Sequence, residues 1–178
     1  MTESNSESAD LGQRALAAYE ADRYDEAIDL FESARAATDE PLKSAELANS
    51  LSVILLKQGR NTEALEVVRG TAQVFQEAGD LSRQARATGN MAAALEACGE
   101  LDSAEVAYRE AADLFEGTGN DEERMLTLNA LSQLQLRQRR PFDAAASLQA
   151  GVPGGRASGF RARLIQFLLR IPSRLLRS

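Results

Sequence analysis

The stretch Asn90–Phe115, NMAAALEACGELDSAEVAYREAADLF, reads as a helix closed by Gly99, a tight turn and a second helix. Glycine adopts the left-handed conformation that ends a helix at little steric cost. Small residues stand at Ala92, Ala104 and Ala111, with aromatics at Tyr108 and Phe115. The same pattern returns in residues 15–31 (ALAAYEADRYDEAIDLF), 51–68 (LSVILLKQGRNTEALEVV) and 131–148 (LSQLQLRQRRPFDAAASL). One helical hairpin cannot bury its apolar stripe alone, whereas a stack of three or more can. The pattern therefore predicts an all-α solenoid of about four helix-turn-helix hairpins, and no sheet.

Two antiparallel helices approach closely only where their facing positions are small. Ala27, Ala64, Ala104 and Ala145 take matching places early in each second helix, 37, 40 and 41 residues apart. Four residues on come the bulkier Phe31, Val68, Tyr108 and Gln149, and after seven the small Ala34, Thr71 and Ala111. In these residues the chain resembles the tetratricopeptide repeat family over about residues 11–150. The small–aromatic–small signature matches Ala27-Phe31-Ala34 and Ala104-Tyr108-Ala111. The first-helix pair matches Leu51-Ser52, Met91-Ala92 and Leu131-Ser132, the turn glycine Gly59 and Gly99, and the turn aromatic Tyr24 and Phe142. The chain lacks Trp, and its 37–41-residue period is longer than the family's usual 34. The resemblance implies a right-handed superhelix of longer-helix hairpins.

The punctuation divides the chain into a disordered start over 1–8 and an array over 9–150, with repeats at about 9–38, 41–79, 80–117 and 120–150. A flexible linker (151–159, GVPGGRASG) and a basic amphipathic tail (160–178) follow. Pro41 suits the first turn of a helix. Asn61 is expected to cap the second helix of repeat 2, which runs unbroken to Gly79. Asp80 caps the next helix, and Asn120 with Glu123 forms a capping-box pattern. Gly89 stands inside a helix, which suggests a close helix contact, a mild bend or a backbone approached by a ligand.

The net charge of −7 hides a partition. Residues 1–150 carry all 27 acids and 14 bases, a balance of −13, while residues 151–178 carry six Arg and no acid. An array this acidic repels nucleic acid. One cysteine, Cys98, leaves no internal disulfide, and the opening MTESNSES is polar where a signal peptide is basic and then apolar. A soluble cytoplasmic protein is the plain reading, with peripheral membrane attachment through the tail as the alternative.

No histidine is present, which removes the commonest general base, the Ser–His and Cys–His pairs and imidazole metal ligands. Pairs such as Asp25-Glu26 and Glu122-Glu123 fit helix-start electrostatics. GVPGG lacks the strand and the Lys that a phosphate loop requires. No enzyme, metal or cofactor is expected. The resemblance instead implies a groove lined by the first helix of each hairpin, which holds a peptide or helix of a partner protein. By position that groove takes Tyr19, Glu20, Asn49, Val53, Leu56 and Lys57, then Arg86, Asn90, Ala93 and Glu96, then Asn129, Gln133, Leu136 and Arg137. An Asn amide donates to and accepts from a peptide backbone at once, so Asn49, Asn90 and Asn129 suggest a gripping row; the alternative is that each bonds a neighbouring hairpin.

In the tail, Phe160, Leu164, Phe167, Leu168, Ile171 and Leu175 fall on one side of a helical wheel, and Arg163, Arg170, Arg174 and Arg177 on the other, with Pro172 kinking or dividing it. Three readings stay open: a cap on the last apolar face of the solenoid, an interfacial membrane helix, and a docking segment for a partner protein.

Overall fold

Alanine at the facing positions brings the arms of each hairpin together, and the stack is built on that contact. The structure, a computed structural model, describes residues 3–151, among which there are nine helices and no strand. Helix α1 (Glu3–Glu20) pairs with α2 (Tyr24–Ala36), and α3 (Pro41–Lys57) with α4 (Asn61–Val68) and α5 (Thr71–Glu77). Helix α6 (Leu81–Ala97) pairs with α7 (Leu101–Thr118), and α8 (Asp121–Arg137) with α9 (Pro141–Gly151). Each hairpin packs on the next, through α2 on α3, α4 and α5 on α6, and α7 on α8. The fold is an all-α helical solenoid of four hairpins. The expected tail helix over 160–178 and the linker beyond Gly151 lie outside the described residues.

The core is narrow because its contacts are small. Ala27, Ala64 and Ala104 are completely buried. In the last hairpin the matching residue is Ala144, 2% exposed, and not Ala145, which faces water. The reason is helical register: α2, α4, α7 and α9 open at Tyr24, Asn61, Leu101 and Pro141, and the fourth residue of each is the buried alanine.

Three further expectations are corrected. Residues 3–8 are helical, not disordered: α1 starts at Glu3, Ser8 is completely buried and its Oγ donates to the Ala34 carbonyl at 2.8 Å. The Thr38 hydroxyl donates to Asn5 Oδ1 at 3.2 Å, and the Asn5 amide donates to Glu40 at 2.5 Å. Polar bonds to the connection after α2 thus order a segment with too few apolar groups to order itself. Next, the second arm of hairpin 2 is broken. Gly70, at φ +84°, separates α4 from α5, and the break turns Phe75 into a satellite core with Ala45 and Ala87. The third correction concerns caps. Asp80 does cap α6, accepting from the Arg83 N–H at 2.9 Å, but Asn120 makes no capping bond. Asn61 is already inside α4 and donates to the Ala97 carbonyl of the next hairpin at 3.0 Å.

Candidate functional site

First and second arms carry different charge. The first arms, α1, α3, α6 and α8, hold nine carboxylates and seven cations. The second arms, α2, α4, α5, α7 and α9, hold thirteen carboxylates against Arg35 and Arg109 alone. Two depressions open on the nearly neutral side. One, of about 260 Å³, opens between α3 and α6, lined by Glu46, Asn49, Ser50, Val53, Arg86 and Asn90 above Phe75. A second, of about 270 Å³, opens between α6 and α8 over Tyr108 and Phe115, with Gly89, Asn90, Ala93 and Leu126 around it. Arg86 and Asn90 border both, so the two form one groove with these residues at its middle.

Of the residues expected from sequence, the structure gathers Asn49, Val53, Arg86, Asn90 and Ala93 in this groove. Val53 is 41% exposed there. Asn49 is engaged, accepting from the Thr71 hydroxyl at 3.0 Å. The amide of Asn90 makes no side-chain hydrogen bond among the described residues, and neither does that of Asn129, which lies outside both depressions. The expected row of asparagines is therefore not a row. First arms open at Pro41, Leu81 and Asp121, each 40 residues after the last, so Asn49 is in step with Gly89 and Asn129, while Asn90 matches Ser50 and Ala130.

The other expected residues hold the hairpins together. Lys57 Nζ lies 5.1 Å from the Tyr19 ring centre and 4.6 Å from that of Tyr24, and the two rings are 5.9 Å apart. This is cation–π packing across the first turn, and the Tyr24 hydroxyl bonded to Lys57 raises its pKa. Glu96 accepts from the Tyr108 hydroxyl at 2.8 Å and pairs with Arg137 of the next hairpin. Gln133 is exposed, and Leu136 is 53% exposed beyond the groove. Phe75, Tyr108, Phe115, Arg83 and Leu126 were not among the expected groove residues. Counting 40 from Glu46 through Arg86 gives Leu126, 62% exposed, so the repeat length carried that signal. Gly89 is not needed for close packing, since a Cβ there would meet only Ala111 Cβ, at 3.9 Å.

The strongest electrostatic cluster lies between α7, α8 and α9. Glu105, 6% exposed, accepts from Arg140 at 2.6 Å and Gln135 at 3.0 Å and also pairs with Arg109. Burial pushes its pKa up, but these donors outweigh burial and hold it at about 2. Gln135 in turn accepts from Ser147 at 2.8 Å. Every oxygen of Glu105 is engaged, so the cluster is a junction and not a proton-transfer site. Among the described residues no group of His, Cys, Asp and Glu has the arrangement of a metal site, and no helix is long and apolar enough to cross a membrane.

A family model for the soluble NSF attachment protein, SNAP, matches residues 1–150. The chain belongs to the soluble NSF attachment protein family. Its hairpins are of the tetratricopeptide-like kind, as the sequence pattern implied. No curated protein matches the sequence. Among solved structures, the apo form of RapI is similar with a TM-score of 0.76 at 14% identity, over 85% of this chain and 43% of RapI. Aspartyl phosphate phosphatase F from Bacillus subtilis is similar at 0.75 and 10% identity, over 94% of this chain and 45% of its own. A MamA fragment from Desulfovibrio magneticus RS-1 gives 0.64 and 19%, over 81% of this chain and 73% of its own. The chain spans less than half of RapI or of the phosphatase, and at these identities the likeness is one of fold.

Proposed function

We propose that this protein is a non-enzymatic adaptor, whose first-arm groove holds a peptide or helix of a partner protein within a multiprotein assembly. The observation that carries this reading is Asn90. Its amide is free of side-chain bonds among the described residues, half-buried at the middle of the groove, and flanked by Arg86 and by the apolar Val53, Ala93 and Leu126. An amide of this kind can accept a backbone N–H and donate to a backbone C=O, while the apolar flanks take alternate side chains. The name of the family, an attachment protein, fits a task of the same class. The rival reading, an enzyme, would need convergent acids free to move a proton. Among the described residues the one strongly shifted carboxylate, Glu105, is saturated by Arg140, Gln135 and Arg109.

The test is affinity capture from the native cell with the full chain and with Asn90→Ala. Wild type should retain a protein that Asn90→Ala loses, by about 1–2 kcal/mol of affinity once the partner is purified, with the melting temperature unchanged. If Asn90→Ala keeps its partner but melts earlier, the residue is structural and the groove reading fails.

A further inference from the structure

Among the described residues nothing covers the outer side of the last hairpin, where every earlier hairpin is covered. The fifth residue of the second arm is buried as Ile28, Leu65 and Glu105, but exposed as Ala145 in α9. The eighth is at most 6% exposed as Phe31, Val68 and Tyr108, but 45% exposed as Leu148. The first arm follows suit: Glu96 of α6 pairs with Arg137 of the next hairpin, while its counterpart Leu136 is 53% exposed. Together these residues form an uncovered apolar end.

The sequence supplies a segment of the right length and register to cover it. Twenty-seven residues follow Gly151. First arms open every 40 residues, at Pro41, Leu81 and Asp121, and the next interval falls on Arg161. Counted the same way, the buried positions 47/87/127 and 48/88/128 and the buried or half-buried positions 51/91/131 and 55/95/135 continue as Phe167, Leu168, Ile171 and Leu175. The outward positions 46/86/126 and 53/93/133 continue as Gln166 and Ser173. Two residues depart from the pattern, Arg174 and Pro172, which fall on positions buried in all three arms (Ile54, Ala94, Leu134 and Ser52, Ala92, Ser132); a terminal arm with no second arm behind it leaves one side to water, and the proline kinks the arm after Ile171.

We propose that residues 161–177 dock on this end face as a fifth first arm and cap the solenoid. The connection allows it. Gly151 is buried where a Cβ would come within 2.8 Å of Met125 Sδ, which fixes the chain's exit beside α8. The eight residues 152–159 reach roughly 26 Å when extended, against roughly 10 Å between packed helix axes.

The test uses the full chain in a Cys98→Ser background and needs no partner. Leu148→Cys with Ile171→Cys repeats the relation of Tyr108 to Leu131, which share one core cluster; Leu148→Cys with Ser173→Cys puts the second thiol on the outward side. A short bismaleimide linker should join the first pair within one chain about tenfold faster than the second, because docking raises the effective concentration. Adding Leu136→Arg, at an exposed position that leaves the hairpin intact, should remove the difference. Equal rates in the two pairs, a dimer-sized product, or flotation with phosphatidylserine vesicles without faster crosslinking would each overturn the docking. None of these results depends on Asn90, so the groove reading stands or falls separately.

Discussion

The junction between hairpins 2 and 3 and the junction between hairpins 3 and 4 use the same helical positions with opposite chemistry. In the earlier one, the fifth residue of the second arm is Leu65 and the fifteenth of the first arms is Leu55, then Leu95, all within one continuous apolar core with Ile28 and Ile54. Forty residues on, the fifth residue is Glu105 and the fifteenth is Gln135, which hydrogen-bond at 3.0 Å and are 6% and 1% exposed. Arg140 and Ser147 complete the second junction from α9 and its approach. A solenoid tolerates this because each hairpin touches only its neighbours, so one interface can be polar without disturbing another. The end of the array is thus held by matched donors and acceptors, where the first part is held by volume.

The largest effect should come from the apolar side. Leu65→Ala removes buried methyl groups from a core with little room to collapse, and should cost about 3 kcal/mol, read as a lower urea midpoint. Glu105→Ala should cost about 2 kcal/mol, because Gln135 is left buried without its acceptor, while the half-exposed Arg109 and Arg140 turn to water. The sharper test is the swap. Glu105→Leu with Gln135→Leu writes the first junction's chemistry into the second, and should come within about 1 kcal/mol of wild type or above it. If the double variant is as unstable as Glu105→Ala, the polar network is required for register and the comparison breaks.

Acid separates the junctions without a mutation at Leu65. Glu105 in the folded chain has its pKa lowered from 4.5 to about 2. A lowered folded pKa gives stability that is complete above the unfolded value and is lost as pH falls through the folded one. Wild type should therefore lose stability between about pH 4.5 and about pH 2, and the double-leucine variant should have a flatter limb there. Asp80, lowered by the Arg83 backbone N–H and then by its side chain, adds loss of the same sign in both proteins. Matching acid limbs in urea titrations would show that Glu105 contributes nothing.

The contrast also explains what the sequence disclosed. Alanine and leucine at helical spacing are legible because volume repeats: Ala27, Ala64 and Ala104 announce the hairpins, and the family pattern follows. Glu105 is not legible. Its letter matches the many exposed acids of the second arms, and only the three-dimensional meeting with Gln135 and Arg140 makes it a core residue. The groove falls between these cases. Asn90 and Arg86 follow from the first-arm face, but Glu96 and Arg137 find each other instead of a ligand. A count that allowed 37 to 41 residues per unit put Ala145 where Ala144 belongs, and helix openings fixed the true step at 40 between first arms. The helical start at Glu3 was hidden because polar bonds, not apolar spacing, hold it.

The smallest expected effect lies in the turns, where the two ends of the comparison differ once more. Hairpin 2 turns at Gly59 with φ +72°, and hairpin 4 turns at Arg139 with φ +60°. Both make the same bonds: Gly59 N–H donates to the Leu56 carbonyl at 3.0 Å and Arg60 N–H to Leu55 at 2.9 Å, while Arg139 donates to Leu136 and Arg140 to Gln135, each at 2.9 Å. The geometry is equal, so the residue alone decides the cost. A side chain in the left-handed region is disfavoured by on the order of 1 kcal/mol, and glycine returns part of that through the entropy of the unfolded chain. Arg139→Gly should thus raise stability by about 0.5 kcal/mol, and Gly59→Arg should lower it by a similar amount. Arg140 leaves the turn to reach Glu105, so the gain should survive only if the backbone of Arg139 sets the turn and its side chain does nothing else. A loss on Arg139→Gly, in urea melts at neutral pH, would mean that the guanidinium of Arg139 belongs to the polar junction. The network would then extend one residue further than its hydrogen bonds indicate.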